Sequence, residues 1–294
     1  MNTAEIIYPL EVDSLKIDAN ISKSIGQTHH RAYTHAKPFK YIKLDNFLAP
    51  EILRRVLADF PSSSSPLDQI YMRAQERLKL SYKPDLLPDY TRSLFFFFNS
   101  APFIAFLEAL TGIRGLIPDA HFVGGGLHEV RNGGHLDIHA DFNHHAAINC
   151  ERRINVLIYL NEDWKSEYGG QFEIWSRDMK SKMASFDPAF NRCVIFNTSS
   201  DSYHGNPNPV NHPEGRSRKS IALYYYTATW DGTRRSHTTQ FKARPMSSDR
   251  FDWGIKVPEF FSEILPPFIF RVLYRWSRSV MKRVRYVVEY SKSK

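Results

Sequence analysis

The sequence predicts a mainly β protein with flanking helices, and three observations carry that prediction. Apolar runs of strand length recur between Gly124 and Thr229. Turn-forming pairs punctuate them, as at Gly169-Gly170 and along Asn206-Pro207-Asn208-Pro209. Apolar residues at helical spacing, by contrast, fall in the segments before and after this region. Strands that alternate with turns favour one large β core with helices supplied by the flanks.

Taken in order, residues 1–36 are polar and mixed without a sustained period, so an extended N-terminal arm is expected there. Phe39 to Asp45 alternates like a strand. Pro50 suits the first turn of a helix in which Ile52, Leu53, Val56, Leu57 and Phe60 recur at helical steps. Pro61 to Pro66 is a loop, and Ile70 to Leu80 reads as a short helix before the breaks at Lys83-Pro84-Asp85 and Leu87-Pro88-Asp89. Phe95 to Phe98 belongs to the core. Ser100 and Pro102 open a helix lined by Phe103, Phe106, Leu107 and Leu110 and stopped by Gly112. Helical support is thus expected over 46–115 and the β core over 120–230. The core strands are Arg153 to Asn161, Gln171 to Trp175, Cys193 to Phe196 and Ser217 to Tyr226. Beyond the domain at 37–235 lie a connecting segment, 236–267, and a C-terminal helix, 268–294.

Composition narrows the class. A 42% hydrophobic and 14% aromatic content suits a globular fold with a sizeable core. Two cysteines, Cys150 and Cys193, cannot make a disulfide framework and lack a metal-binding spacing, so a reducing, cytoplasmic setting is expected. The first residues carry no basic-then-apolar leader, and no uncharged apolar run approaches the roughly 18 residues of a spanning helix. No nucleic-acid partner is expected: the formal charge of +8 sits mostly in the tail.

The chemistry concentrates in Gly124 to Asp141, GGGLHEVRNGGHLDIHAD. In a strand, residues two apart share a face, so His139 and Asp141 aim an imidazole and a carboxylate at one point. Non-haem Fe(II) oxygenases need two histidines and one carboxylate on one side of the metal, which requires a second, later histidine. His204, after a strand and a polar turn and before Gly205, is the candidate. His135 and Asp137 form a rival His-x-Asp pair on the same strand.

With the strand order that follows, these residues resemble the core of the Fe(II)/2-oxoglutarate-dependent dioxygenases, most closely the prolyl 4-hydroxylase branch. The resemblance runs from about Phe39 to Thr229 and is strong from Gly124 to Tyr226. It implies a double-stranded β-helix (jelly-roll, cupin-like) core. The family pattern places the metal histidine five residues after a Gly-Gly pair, and Gly133-Gly134 then selects His139 over His135. His139, Asp141 and His204 would hold Fe(II), and 2-oxoglutarate and O₂ would be cosubstrates.

Arg218 and Ser220, an Arg-x-Ser pair on one strand face, would hold the far carboxylate of 2-oxoglutarate, with Tyr159 adding a hydroxyl. Arg216 competes with Arg218, but the apolar strand follows Arg218 as it does in the family. The gap from His204 to Arg218 is longer than in many relatives and is housed in Asn206 to Pro209 and His212 to Gly215. His121, His128, His144 and His145 read as cleft-lining or solvated loop residues. Residues 62–90 are a candidate substrate-facing lid. Asp141 itself argues for hydroxylation, because halogenating relatives carry a small residue there.

The implied function is hydroxylation of a C–H bond in a prolyl polypeptide or a small metabolite, with release of succinate and CO₂. The alternative is a non-catalytic cupin-like barrel that binds a metal or a sugar, against which the Arg-x-Ser pair counts. The tail adds a second theme. Ile269, Leu273, Trp276, Val280, Val284 and Val287 form one helical face, and from Arg271 to Lys294 eight of the nine charged residues are basic. Such a helix either packs on the barrel or lies on an anionic membrane surface. Sedimentation with anionic vesicles separates the two: a chain ending before Phe268 that partitions like the full-length chain rules out the membrane reading.

Overall fold

The structure is a computed structural model that describes residues 5–62, 69–234, 236–247 and 249. Among the described residues four helices, α1 (Ala19–His35), α2 (Pro50–Ala58), α3 (Asp89–Phe98) and α4 (Ala101–Thr111), support thirteen strands. The first six strands are β1 (Tyr41–Leu44), β2 (Gln69–Met72), β3 (Glu76–Tyr82), β4 (Ile117–Pro118), β5 (Gly126–Ala140) and β6 (His144–His145). Then come β7 (Cys150–Tyr159), β8 (Phe172–Trp175), β9 (Lys182–Phe186), β10 (Cys193–Asn197), β11 (His204–Asn206), β12 (Arg218–Thr227) and β13 (Gln240–Phe241). The main sheet path runs β1-β10-β7-β12-β5-β11-β8-β9, and the strand pairings are antiparallel. Sequence neighbours are rarely sheet neighbours, and the sheet curls on itself as a double-stranded β-helix.

Side-chain alternation explains how the sheet is buried on both faces. In β7, Ile154, Val156 and Ile158 join α3 and α4 in a cluster with Phe95, Phe98, Phe103 and Phe106. Tyr159 points the other way, into the barrel with Phe172, Ile174, Val194 and Phe196. β12 divides likewise, with Ile221, Leu223 and Tyr225 under the helices and Arg218 and Ser220 on the intervening positions. The helices therefore brace one face and leave the other for polar residues. Among the described residues no single helix is long and apolar enough to cross a membrane. α3 and α4 together meet that composition but bend by 44° between them, and Phe95, Phe97, Phe98, Phe103 and Phe106 are buried in the core while Phe96 is exposed.

Three segments differ from expectation. The N-terminal arm contains α1, capped by the Asp18 carboxylate, which accepts from the Asn20 and Ile21 amides. Its buried positions are Ser22, Gly26 and Tyr33, so the contact stripe is helical in spacing but not apolar. A Cβ on Gly26 would lie 2.4 Å from the Phe106 carbonyl oxygen, which shows how closely α1 approaches α4. The helix expected over Ile70 to Leu80 is instead the β2–β3 hairpin, and β3 pairs with β5 from Glu76↔Leu136 to Tyr82↔Leu127. The long partner strand β5 overrides a weak local helical spacing. Finally, the connecting segment supplies β13, which pairs with β5 through Gln240↔Ala140 and Phe241↔His139, so the compact unit extends to Asp249. The rest of that segment and the helix expected over 268–294 lie outside the described residues.

Candidate metal centre

β5 carries His139 near its end, with Asp141 immediately after it, and β11 lies alongside with His204 directly opposite His139. The two imidazole centroids are 4.6 Å apart. His139 Nε2 is 3.6 Å from Asp141 Oδ1, and His204 Nε2 is 3.4 Å from Asp141 Oδ2. One ligand atom from each residue lies within 4.8 Å of the others, and all three side chains are buried. His135 does not join them: its Nε2 bonds the Ala74 carbonyl.

The ring tautomers follow from the backbone. His139 Nδ1 donates to the Asp137 carbonyl and His204 Nδ1 to the Ser202 carbonyl, each at 2.8 Å. Carbonyls only accept, so both Nδ1 atoms carry the proton in the neutral rings and both Nε2 lone pairs face the carboxylate. Two lone pairs and an anion aimed at one buried point repel unless a cation lies between them. A divalent metal fits this donor set, with the Nδ1 hydrogen bonds fixing each ring as outer-shell bonds do in metal sites. Burial would raise the Asp141 carboxyl, but Arg152, His204 and His139 together hold it well below the usual range. Burial pushes His204 downward, against the pull of Asp141, and so favours its neutral, ligating form.

Arg152 and Asn155, both on β7, were not singled out in the sequence. Asn155 Nδ2 donates to Asp141 Oδ2 at 2.7 Å, and Arg152 Nη2 lies 3.4 Å from the same oxygen. Arg152 in turn donates through Nε and Nη2 to Asn155 Oδ1 at 3.0 and 2.8 Å. Its guanidinium also lies over Tyr224 at 3.6 Å and Phe142 at 4.3 Å. Asn155 shares the inward parity of Tyr159, but Arg152 reaches the same side only through the register shift that sets Ile154 and Arg152 opposite Tyr225 and Tyr226, which spacing alone does not reveal.

Gly205 allows a close approach between two strands. A Cβ there would lie 2.7 Å from the Asp137 carbonyl oxygen and 2.8 Å from that of Leu136. The close approach is therefore to β5, not to the metal position, and it keeps His204 in register with His139.

Arg218 is 5% exposed, whereas Arg216 is exposed and bonds His212 Nε2. Arg218 Nε donates to the Gly170 carbonyl at 2.8 Å and Nη2 to the Tyr159 hydroxyl at 3.3 Å. Burial lowers its pKa, and Tyr159 opposes the shift. Among the described residues no carboxylate lies within ion-pair distance of Arg218, which leaves a buried cation whose hydrogen bonds go to neutral oxygens. Ser220 is buried on the same strand face, opposite Tyr159 in β7 and His128 in β5. His128 is buried and bonds the Gly124 carbonyl, and His145 is also buried, so neither is a solvated loop residue.

A cavity of about 230 Å³ opens beside His139 and Asp141. The β2–β3 hairpin contributes Tyr71, Glu76 and Lys79 to its wall, and β7 contributes Arg152. Thr239, next to β13, closes another side. The Phe241 ring lies 5.5 Å from that of His139, and Phe196 lies 4.5 Å from His204.

Sequence comparison matches residues 125–226 to the family described as the 2OG-Fe(II) oxygenase superfamily. The matched segment holds His139, Asp141, His204 and Arg218. Together they support an Fe(II)- and 2-oxoglutarate-dependent dioxygenase that uses O₂ over the cupin-like binding barrel. No curated protein matches the sequence. Among solved structures, the oxygenase is similar to a prolyl hydroxylase from Trichoplax adhaerens, in complex with a hypoxia inducible factor peptide fragment. The identity is 17% and the TM-score 0.52, over 74% of this chain and 96% of that one. A prolyl 4-hydroxylase from Phytophthora capsici is also 17% identical, with a TM-score of 0.50 over 88% of this chain and 77% of its own. At this identity the likeness concerns the fold.

Proposed function

We propose that this oxygenase hydroxylates a C–H bond of a prolyl polypeptide or a small metabolite in a reducing, cytoplasmic setting. His139, Asp141 and His204 hold Fe(II), and Arg218, Ser220 and Tyr159 hold the far carboxylate of 2-oxoglutarate. The observation that carries the reading is Arg218, a buried guanidinium without a carboxylate, on the strand that lines the same barrel as the triad. A planar fork of this kind matches a carboxylate through two parallel hydrogen bonds. When bound, Fe(II) with 2-oxoglutarate and O₂ supplies the oxidising power for hydroxylation and releases succinate and CO₂.

The chain's own residues do the rest. The Asp137 and Ser202 carbonyls hold the two imidazoles in the ligating tautomer. Asn155 orients the Asp141 carboxylate. Phe172, Phe196 and Phe241 pack against the ligand rings and keep water from the metal side. The buried, unpaired Cys150 and Cys193 support the reducing setting. The test is Fe(II)-dependent formation of succinate from 2-oxoglutarate by the full-length chain with no primary substrate added. Slow, iron-dependent turnover is expected. Absence of both turnover and 2-oxoglutarate binding would overturn the reading.

A further inference from the structure

The cavity beside the triad is lined by a cation whose one anionic partner also serves the metal position. Arg152 is 3% exposed, and among the described residues Asp141 is the only carboxylate within ion-pair distance of it. Asp141 is also the one carboxylate of the triad. A divalent ion held by the triad would share that negative charge, and the other groups against Arg152, Asn155 Oδ1 and the Phe142 and Tyr224 rings, are neutral. The other ionic pair in the wall, Lys79 with Glu76 at 2.9 Å, closes on itself and offers nothing to Arg152. The 2-oxoglutarate dianion brings two negative charges, which offset the metal and Arg218. One positive charge is left, and it lies in the wall of the open cavity.

A buried positive charge left unbalanced is costly, so the site is best completed by an anion that arrives last. The Phe142 and Tyr224 rings hold the guanidinium in place where it lines the cavity. We infer that the primary substrate carries a carboxylate that pairs with Arg152. The inference rests on the proposed function, since it takes the metal and cosubstrate sites as given there. A planar fork favours a planar carboxylate, and about 230 Å³ admits a group of amino-acid size rather than a folded segment.

The experiment uses the full-length chain with Ni(II) in place of Fe(II) and saturating 2-oxoglutarate. Calorimetry first measures 2-oxoglutarate binding, and its absence would count against the site itself. On the loaded protein, paramagnetic broadening of [¹³C]acetate is then followed by titration, with [¹³C]acetamide as the neutral twin. Saturable broadening of acetate but not of acetamide is expected, and Arg152→Gln should weaken it by about tenfold or more. Arg152→Lys keeps the charge and guards against a folding defect, and it should retain part of the effect. If 2-oxoglutarate binds but acetate and acetamide behave alike, or Arg152→Gln binds acetate as the natural chain does, the inference is wrong and the site reading stands.

Discussion

His139→Ala and His204→Ala are each expected to abolish stoichiometric metal binding and iron-dependent succinate formation, while circular dichroism stays that of the natural chain. Each ring is held by one backbone hydrogen bond and by packing, and the barrel around it is complete without the imidazole. Loss of one ligand in three removes most of the affinity. Asp141→Ala should behave differently. It strands Arg152 in the interior, and breaking a buried pair from one side costs about 3–5 kcal/mol. Urea unfolding should therefore show Asp141→Ala well below the two histidine variants in stability. Retention of metal by His139→Ala together with its loss in His135→Ala would move the site one His-x-Asp pair upstream.

Arg218→Ala should raise the 2-oxoglutarate concentration needed for half-maximal turnover by one to two orders of magnitude. A hydrogen-bonded pair with a charged group is worth about 1.5–3 kcal/mol, and RT sets the conversion. Metal content should not change, because no triad residue touches Arg218 among the described contacts. Arg216→Ala should do little, since that side chain is exposed and held by His212 and Glu162. Titrating 2-oxoglutarate against both variants decides the matter, and the opposite order would place the anchor two residues earlier.

Much of this arrangement was legible in the chain because it is written locally. Strand periodicity in β7, β10 and β12 is a matter of adjacent residues, and His139 and Asp141 share a face by spacing alone. What was not legible depends on contacts between distant segments. α1 buries Ser22, Gly26 and Tyr33, which no apolar pattern reveals. The β2–β3 hairpin turns Glu76 and Lys79 inward as a largely buried ion pair, inverting the usual rule that charges face out. Arg152 and Asn155 acquire meaning only once β7 is known to bring them to Asp141. His204 was read as following a polar turn, and the structure shows that pairing with both β5 and β8 makes it the start of a strand.

β13 changes where a working piece of this protein ends. At His139 the strand β5 is flanked on one side by β11 and on the other by β13, and the Lys242 amide donates to the Ile138 carbonyl at 2.8 Å. A fragment cut at the limit of the family match, residue 226, would keep every proposed metal and cosubstrate residue yet expose a raw sheet edge at the metal histidine. Such an edge invites pairing with other chains. The fragment should dimerise or precipitate through that edge, and the smallest portable unit of the oxygenase extends at least to Asp249, where the Arg244–Asp249 ion pair closes the segment.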